Sequence, residues 1–386
     1  MSLRKLQMVS LVALLAVGLT MPWGSQAQAK EKVLKAQEWK YSCFLPPRQW
    51  SNWCNCWLLD QIEQRTGGKI KMKYYVAQAL GKAPEHYSMV STGRVEMGEF
   101  TTGFGPGVFP LCSVLQIPFM WERSLPGSLV ANELLRNGYL DETLRRDVKV
   151  ISLNLTETLK IWTLKPVTTM AGLKGLRLRV AGGLDAETTK ALGAAPIQMP
   201  LPEVYPALEK GVLDGGVFGF RTGMDFKYPE ITKYVMDIQI CIAVHMNIMN
   251  KKLWESLPDD TQKTLDQIFR EMVIHWSSTI DILEQDAKSI AVEKFGVNIA
   301  DLPKAEVDKM KAATAGVKDD WIAEMEKKGL PGQKTYDAFM TTTKNLGIIL
   351  DQTWVKNRAI GEKLVHLHES QRETGSLIQT AVGKAV

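Results

Sequence analysis

Two arginines on a short apolar segment are the residues of this 386-residue chain best suited to binding chemistry. Arg177 and Arg179 alternate with apolar residues from 176 to 180, the period-two pattern of a strand with one apolar face. A glycine turn at 182–183 follows, so Arg179 lies near the carboxyl end of the strand, where open α/β sheets bind ligands. A guanidinium grips a carboxylate through two parallel hydrogen bonds. The pattern predicts a carboxylate site, and since both arginines share a face, spacing alone leaves either one open for the role.

The elements around this segment alternate between strands and helices, which is the α/β signature. After the turn, Asp185 is predicted to cap a helix that runs to Leu192. The other predicted strands are Val33–Trp39, Lys69–Val76, Val95–Phe100, Val148–Leu155, Lys160–Thr163 and Ile240–Met249, and the helices before the arginines are Gln49–Gln64 and Glu85–Ser91. From Asp259 the pattern changes to long helices, predicted to Val292, over Lys304–Lys328 and over Gln333–Glu369.

Four motifs in order carry a resemblance to a known family. They are GLKGLRLRV at 172–180, KALGAAPIQMP at 190–200, EVYPALEKGVLDGG at 203–216 and MNKKLWESLP at 249–258. The chain resembles the substrate-binding proteins of TRAP transporters, the DctP-like family, from about Trp39 to past Leu257. The resemblance implies an α/β, two-lobed periplasmic binding protein fold, with a long helix spanning both lobes and extra C-terminal helices. It also implies a solute-binding protein without catalytic activity, which captures an organic acid by lobe closure and delivers it to the TRAP membrane permease subunits.

The N-terminus indicates the same compartment. Arg4 and Lys5 precede an apolar run, Met8–Met21, that is too short to span a bilayer comfortably, and Ala27-Gln28-Ala29 suits a signal peptidase. An uncleaved anchor is the alternative. We expect a signal peptide at 1–29 and a soluble periplasmic protein after cleavage. Its predicted segments are lobe one (first part) at 30–155, lobe two at 156–240, the return to lobe one with the long spanning helix at 241–300, and C-terminal helices with a tail at 301–386.

The resemblance assigns roles to a few polar residues. Arg179 occupies the position of the family's carboxylate-binding arginine. Lys160 stands where many members carry a second basic residue, although an ordinary solvated lysine is an equal reading. Glu157 lies close in sequence and is predicted to add a polar contact. His245 lies on an apolar stretch, where a histidine is usually a satisfied buried group; the alternative is a ligand contact that would make binding pH-sensitive.

One departure from the family bears on the ligand. After Asp214-Gly215 the family usually continues with QENP, whose asparagine contacts the ligand, and this chain has Phe218 at that place. The change replaces an amide with a ring and counts against a small dicarboxylate. An aromatic set of Phe218, Phe220, Phe104 and Trp50 is predicted to line a pocket for a bulky or aromatic acid, the alternative being that each ring belongs to the core.

Composition and missing motifs exclude other classes. Without residues 1–29 the chain has 45 basic and 42 acidic residues and no basic stripe, which argues against a nucleic-acid partner. A nucleophile elbow, a P-loop and a zinc signature are all missing from the sequence, so neither a catalytic residue nor a metal site nor a cofactor is predicted. The binding component of another importer or of a periplasmic sensor remains the alternative function, and a periplasmic enzyme is disfavoured.

The five cysteines leave their pairing open. Cys54 and Cys56 lie two apart on a predicted helix, so their side chains point in different directions. Either most cysteines are small buried residues, or Cys43 or Cys54 joins a disulfide. The sequence does not decide between the two.

Overall fold

The computed structural model describes residues 32–105, 107–140, 147–300 and 302–346. The predicted signal peptide and most of the last predicted helix lie outside the described residues. Among the described helices, none is long and apolar enough to cross a membrane.

One mixed sheet organises the chain. Its described strands are β1 (Gln37–Ser42), β2 (Ile70–Tyr75), β3 (Met97–Thr101), β4 (Val148–Thr163), β5 (Arg177–Val180), β6 (Ala195–Gln198), β7 (Gly215–Phe218), β8 (Tyr234–Asn250) and β9 (Asn298–Ala300). They run in the order β2-β1-β3-β8-β4-β7-β5-β6, and β9 pairs with the start of β8. The outer strand pairs are parallel, whereas the central pair β4–β8 is antiparallel.

Helices cover this sheet. They are α1 (Ser51–Arg65), α2 (His86–Ser91), α3 (Ser124–Arg136), α4 (Leu184–Ala191), α5 (Leu201–Glu209), α6 (Phe220–Asp225), α7 (Lys251–Ser256), α8 (Asp259–Phe295), α9 (Lys304–Thr314) and α10 (Val317–Lys327). A further helix covers 332–346. The predicted helix Lys304–Lys328 is therefore two helices, since the chain turns at Ala315-Gly316.

The long strands β4 and β8 belong to both halves of the sheet. We call β1–β3, with the first half of β4 and the second half of β8, lobe one. Lobe two is β5–β7 with the remaining halves of the two long strands. The prediction of separate strands at Val148–Leu155 and Lys160–Thr163 is wrong, because β4 is one continuous strand. The polar residues between the two predicted strands belong to β4, where its pairing with β8 shifts register. The segment boundaries drawn from the sequence stay predictions.

The helix α8 packs on both lobes through one apolar stripe. Leu265, Ile268, Met272 and Trp276 are fully buried at helical spacing, and the helix contacts α1 and α3 as well as α6 and β4. Near its middle, Asp281 accepts the backbone N–H groups of Ser124 (2.7 Å) and Leu125 (3.1 Å) at the start of α3.

One turn later on the same helix, Glu284 accepts the N–H groups of Phe220 (2.9 Å) and Arg221 (2.8 Å) at the start of α6. Two carboxylates on α8 therefore satisfy the first N–H groups of a helix in each lobe.

Asp185 differs from its predicted role. It lies inside α4 rather than at the cap, which is Gly183, and its carboxylate accepts the N–H groups of Ala181 and Gly182 at 2.9 Å each. The carboxylate therefore fixes the turn that follows β5 rather than the helix terminus.

Candidate functional site

A cavity lies between the two lobes, at the carboxyl ends of β3 and β5. Its aromatic wall is formed by Phe44, Trp50, Phe104 and Phe218, its polar wall by Gln49, Thr101, Thr156, Glu157, Arg179, Thr222 and His245, and the remainder by Leu159, Ala181, Leu201 and Ala243. Its volume is about 40 Å³, room for about three water molecules. In this conformation the cleft is closed around a small space with apolar walls and convergent polar groups, as is usual for small-molecule sites.

Arg179 is a buried cation in this cavity. The residue is only 4% exposed. Its Nε donates a hydrogen bond to the backbone carbonyl of Met199 (2.8 Å), and its Nη1 donates to the backbone carbonyl of Val217 (3.4 Å). Within the described residues, no carboxylate lies within 4.0 Å of its guanidinium nitrogens. Burial lowers the pKa of Arg179 from its ordinary value, and Asp185 acts on it only from beyond ion-pair distance. The guanidinium is therefore held in place but not neutralised.

Trp50 lines the same space and carries a buried donor without a partner among the described residues. Its ring is 1% exposed and packs edge-on against Trp276, with centroids 4.6 Å apart. Its backbone N–H donates to Asp225 of α6 (2.9 Å), which links lobe one to lobe two. The indole Nε1 has no hydrogen-bond partner among the described residues. Since a buried indole N–H usually finds an acceptor, this atom is suited to an oxygen of a ligand.

Glu157 is a buried acid on the cavity wall. Oε1 accepts the N–H of Thr222 (3.2 Å), whereas Oε2 has no partner among the described residues. Burial, followed by the negative charge of Glu284, raises the pKa of Glu157 to about 7. Gly219 makes room for this side chain, because a Cβ there would lie 1.8 Å from its Cγ.

His245 is paired rather than free. Its Nδ1 lies 2.7 Å from Oε1 of the fully buried Glu99, and its Nε2 lies 3.2 Å from Oγ1 of Thr101. A carboxylate only accepts, so Nδ1–H donates to Glu99. The same carboxylate also accepts from Asn55 (2.7 Å). Burial alone would raise the pKa of Glu99, but the hydrogen bond and charge of His245 outweigh it and hold that pKa below its ordinary value.

The structure gathers six of the eight residues predicted from the sequence. Arg179, Phe218, Phe104, Trp50, Glu157 and His245 line the cavity. Lys160 and Phe220 do not, and lie with Glu157 on a second cavity of about 170 Å³. Whether any of them contacts a ligand stays a prediction.

Lys160 and Phe220 already have partners. Lys160 donates to Glu284 (2.6 Å) and to Thr158, and the ring of Phe220 packs edge-on against Trp162 at 5.2 Å. Lys160 is thus an ion-pair partner within lobe two, not the solvated lysine that was the alternative reading.

The choice between the two arginines is decided by their partners. Arg177 is exposed and forms a bidentate pair with Asp214, with distances of 2.9 and 2.8 Å. Arg179, two residues further, reaches the cavity alone. The alternating pattern places both arginines on one face of β5. Only the carboxyl end of the strand, where Arg179 lies, is covered by the other lobe.

Three of the contributors to the site that sequence reasoning missed show what signal was or was not available. Phe44 follows β1 and contacts the ring of Phe104 edge-on at 5.7 Å, and nothing in its neighbourhood marks it. Glu99 in β3 is a charged residue in a fully buried strand, a pattern that could have indicated a polar network. Gly219 interrupts a run of large side chains, which could have indicated a close approach.

Other candidate sites carry less chemistry. Within the described residues, no three His, Cys, Asp or Glu side chains gather to hold a metal ion. All five cysteines are free, and Cys43, Cys54, Cys112 and Cys241 are buried. A larger cavity of about 460 Å³ lies between α3, β4, α7 and α8, where Lys149 already pairs with Asp266 (3.0 Å). It lies away from the strand ends that hold the arginine.

The fold has counterparts among known proteins. The family model of bacterial extracellular solute-binding protein, family 7 (DctP), matches residues 57–325. The 2,3-diketo-L-gulonate-binding periplasmic protein YiaO of Escherichia coli is 26% identical over 216 residues, which are 53% of this chain and 63% of that protein. The chain therefore spans less than two thirds of that relative.

Solved structures match over more of their length. A TRAP solute-binding protein from Rhodoferax ferrireducens, in complex with copurified benzoate, is 25% identical with a TM-score of 0.75, covering 81% of this chain and 99% of that one. A marine metagenome TRAP solute-binding protein specific for aromatic acid ligands, in complex with 3-hydroxybenzoate, is 27% identical with a TM-score of 0.75 and the same coverage. These matches confirm the resemblance read from the four motifs and the two-lobed α/β fold.

Proposed function

This chain belongs to family 7 of the bacterial extracellular solute-binding proteins, and from that premise we propose that it binds an organic acid with an aromatic body in the periplasm and delivers it to a TRAP permease. One observation carries the proposal: the buried guanidinium of Arg179 faces a closed cavity without a carboxylate partner among the described residues. An uncompensated buried charge is unfavourable, so an anionic ligand supplies what the site lacks.

The walls of the cavity support the aromatic part of the proposal. Phe44, Trp50, Phe104 and Phe218 surround the space that the guanidinium reaches, and aromatic side chains pack well against a ring. The two solved relatives described above bind benzoate and 3-hydroxybenzoate, and they are similar to this chain over most of its length.

Capture then proceeds by closure. The carboxylate meets Arg179 on lobe two, Trp50 on lobe one contributes its indole N–H, and the lobes close over the ring. Closure removes the ion pair from water, which strengthens it. The residues of the site act by binding and orientation, and the proposal includes no chemical step.

Calorimetry of the mature protein, refolded to remove any bound acid, tests the proposal. Benzoate and 3-hydroxybenzoate are titrated beside succinate, and we expect the aromatic acids to bind more tightly. Arg179→Ala should weaken that binding by about 30-fold or more, because the ligand carboxylate would be buried without its partner. The matched control is Arg177→Ala, whose side chain is exposed and paired with Asp214. Unchanged affinity in Arg179→Ala, or binding of none of the aromatic acids, would reject the proposal.

A further inference from the structure

Glu157 is the acid that the proposed ligand anion meets on entering the cavity. It lines the same space as Arg179, yet its own charge has the sign of the ligand. Its residue is 2% exposed, so water does not screen a repulsion between the two. A site that binds an anion beside a buried carboxyl group must either hold that carboxyl neutral or lose affinity.

We propose that Glu157 binds the acid in its protonated form, donating a hydrogen bond from Oε2 to an oxygen of the ligand, so that the anion is bound together with one proton. This inference rests on the proposed function. Its geometric basis is the Oε2 atom, which has no hydrogen-bond partner among the described residues. When Oε2 is protonated, its O–H is a donor that lacks an acceptor within these residues. The other oxygen, Oε1, already accepts the N–H of Thr222, so Oε2 is the oxygen that remains for the ligand.

The surroundings of Glu157 favour the neutral form. On its far side, Glu284 lies close enough to repel it, and Lys160, which would stabilise its anion, is engaged with Glu284 at 2.6 Å. Burial and this repulsion raise the pKa of Glu157 to about 7, so protonating Glu157 near neutral pH requires little free energy.

The other charged and titratable groups near Glu157 are divided between the two cavities. On the ligand side they are Arg179 of β5 and His245 of β8. On the far side they are the acids Glu122, Asp237 and Asp281 and the cations Arg123 and Lys288, of which Asp237 and Lys288 form an ion pair at 2.6 Å. Asp281, whose pKa burial raises to about 7, is the group whose protonation could imitate the effect, and a variant of Glu157 separates the two.

Calorimetric titration with benzoate and with 3-hydroxybenzoate, at pH 7.5 in buffers of different ionisation enthalpy, counts the protons taken up. We expect roughly 0.7 proton per bound acid in the wild type, and an affinity that falls about 20-fold from pH 6.5 to pH 8.5. Glu157→Gln keeps the shape and a donor but does not titrate. It should bind with no proton uptake and with a Kd that is constant within about twofold over that range.

Two further variants complete the experiment. Asp60→Asn, which removes a half-buried acid of α1 with a raised pKa outside both cavities, should retain the wild-type uptake. Gly219→Ala places a Cβ against Glu157 and displaces the carboxyl without changing its chemistry, so it should also lose the uptake. It serves in place of Glu157→Gln if that variant does not fold.

The outcomes separate this inference from the proposed function. Tight binding that depends on Arg179 but takes up no proton overturns the inference alone. Uptake that persists in Glu157→Gln also overturns it and assigns the proton to another group, Asp281 first. Failure of both aromatic acids to bind the wild type overturns the proposed function and this inference with it.

Discussion

The cavity residue Arg179 and the residue Glu99 behind the cavity differ in how their buried charge is compensated. Glu99 is 0% exposed and has its partner within the protein, His245 at 2.7 Å, whereas Arg179 has only carbonyl oxygens. A buried charge without a partner is unfavourable in the free protein. Glu99 therefore contributes to the stability of the fold, whereas the guanidinium of Arg179 remains available for an ion pair with a ligand.

The paired residue gives a prediction about stability. Replacing Glu99 with Gln should lower the free energy of unfolding at pH 7 by about 3 kcal/mol, since it removes the carboxylate from a buried hydrogen-bonded pair with His245. The folded-state pKa of Glu99 is lowered, so its contribution is present above the unfolded pKa of about 4.3 and is lost as the pH falls through the folded value.

Urea unfolding between pH 3 and pH 7 measures this effect. The difference between wild type and Glu99→Gln should shrink below pH 4. A difference that is constant over the whole range would mean that the carboxylate charge of Glu99 does not matter. Glu63→Gln, on the half-buried surface of α1, is the control for a general effect of removing one acid.

At the scale of elements, α8 joins the lobes through two carboxylates one turn apart. Asp281 binds the start of α3 in lobe one, and Glu284 binds the start of α6 in lobe two. The first N–H groups of a helix have no hydrogen-bond partner within the helix. Each carboxylate therefore supplies the acceptor that these groups lack, and also holds the helix against α8. These contacts fix α6, and with it the N–H of Thr222 that orients Glu157.

Truncation of one carboxylate tests this arrangement. Asp281→Ala should lower the free energy of unfolding by about 1–2 kcal/mol, the usual effect of removing a cap. Asp286→Ala removes an exposed acid from the next turn and should change it by less than about 0.5 kcal/mol. Chemical denaturation followed by circular dichroism compares the two, and equal losses would contradict the capping role.

For the whole molecule, closure brings backbone segments of the two lobes into direct contact. Gly103, just after β3, packs against the turn after β5: a Cβ at Gly103 would lie 2.8 Å from the carbonyl oxygen of Ala181. Gln198 of β6 reaches across and donates to the carbonyl of Gly103 (2.8 Å). Only glycine allows this approach, so position 103 controls whether the lobes close fully.

A larger side chain at this position should hold the cleft open. Gly103→Val is expected to fold normally, to bind the aromatic acids at least about tenfold more weakly, and to keep its ligand-free radius of gyration when acid is added. Gly107→Val is the control from the same loop, since no described atom lies within 4 Å of its Cβ position. Small-angle scattering with and without acid measures closure, and a Gly103→Val protein that contracts like the wild type would disprove the role.

The sequence alone determined the class of the molecule, its family and the position of the predicted carboxylate-binding arginine. Alternating strands and helices gave the α/β class, four spaced motifs gave the family, and the first of those motifs singled out Arg179, which lines the cavity. These features depend on neighbours along the chain, which a sequence displays directly. Several strands were predicted within about four residues of their observed bounds, whereas β7 and β9 were not predicted and β8 begins at Tyr234 rather than Ile240. The continuity of β4 was missed because bulges break its period.

Tertiary structure alone decided which groups have partners. Arg177 and Arg179 look alike in sequence, yet Asp214 neutralises the first and nothing among the described residues neutralises the second. Lys160 is taken by Glu284, a residue 124 positions away, and Glu157 is left with an unused oxygen. Pairing and burial depend on residues that are distant along the chain and adjacent in space, and so no local pattern records them.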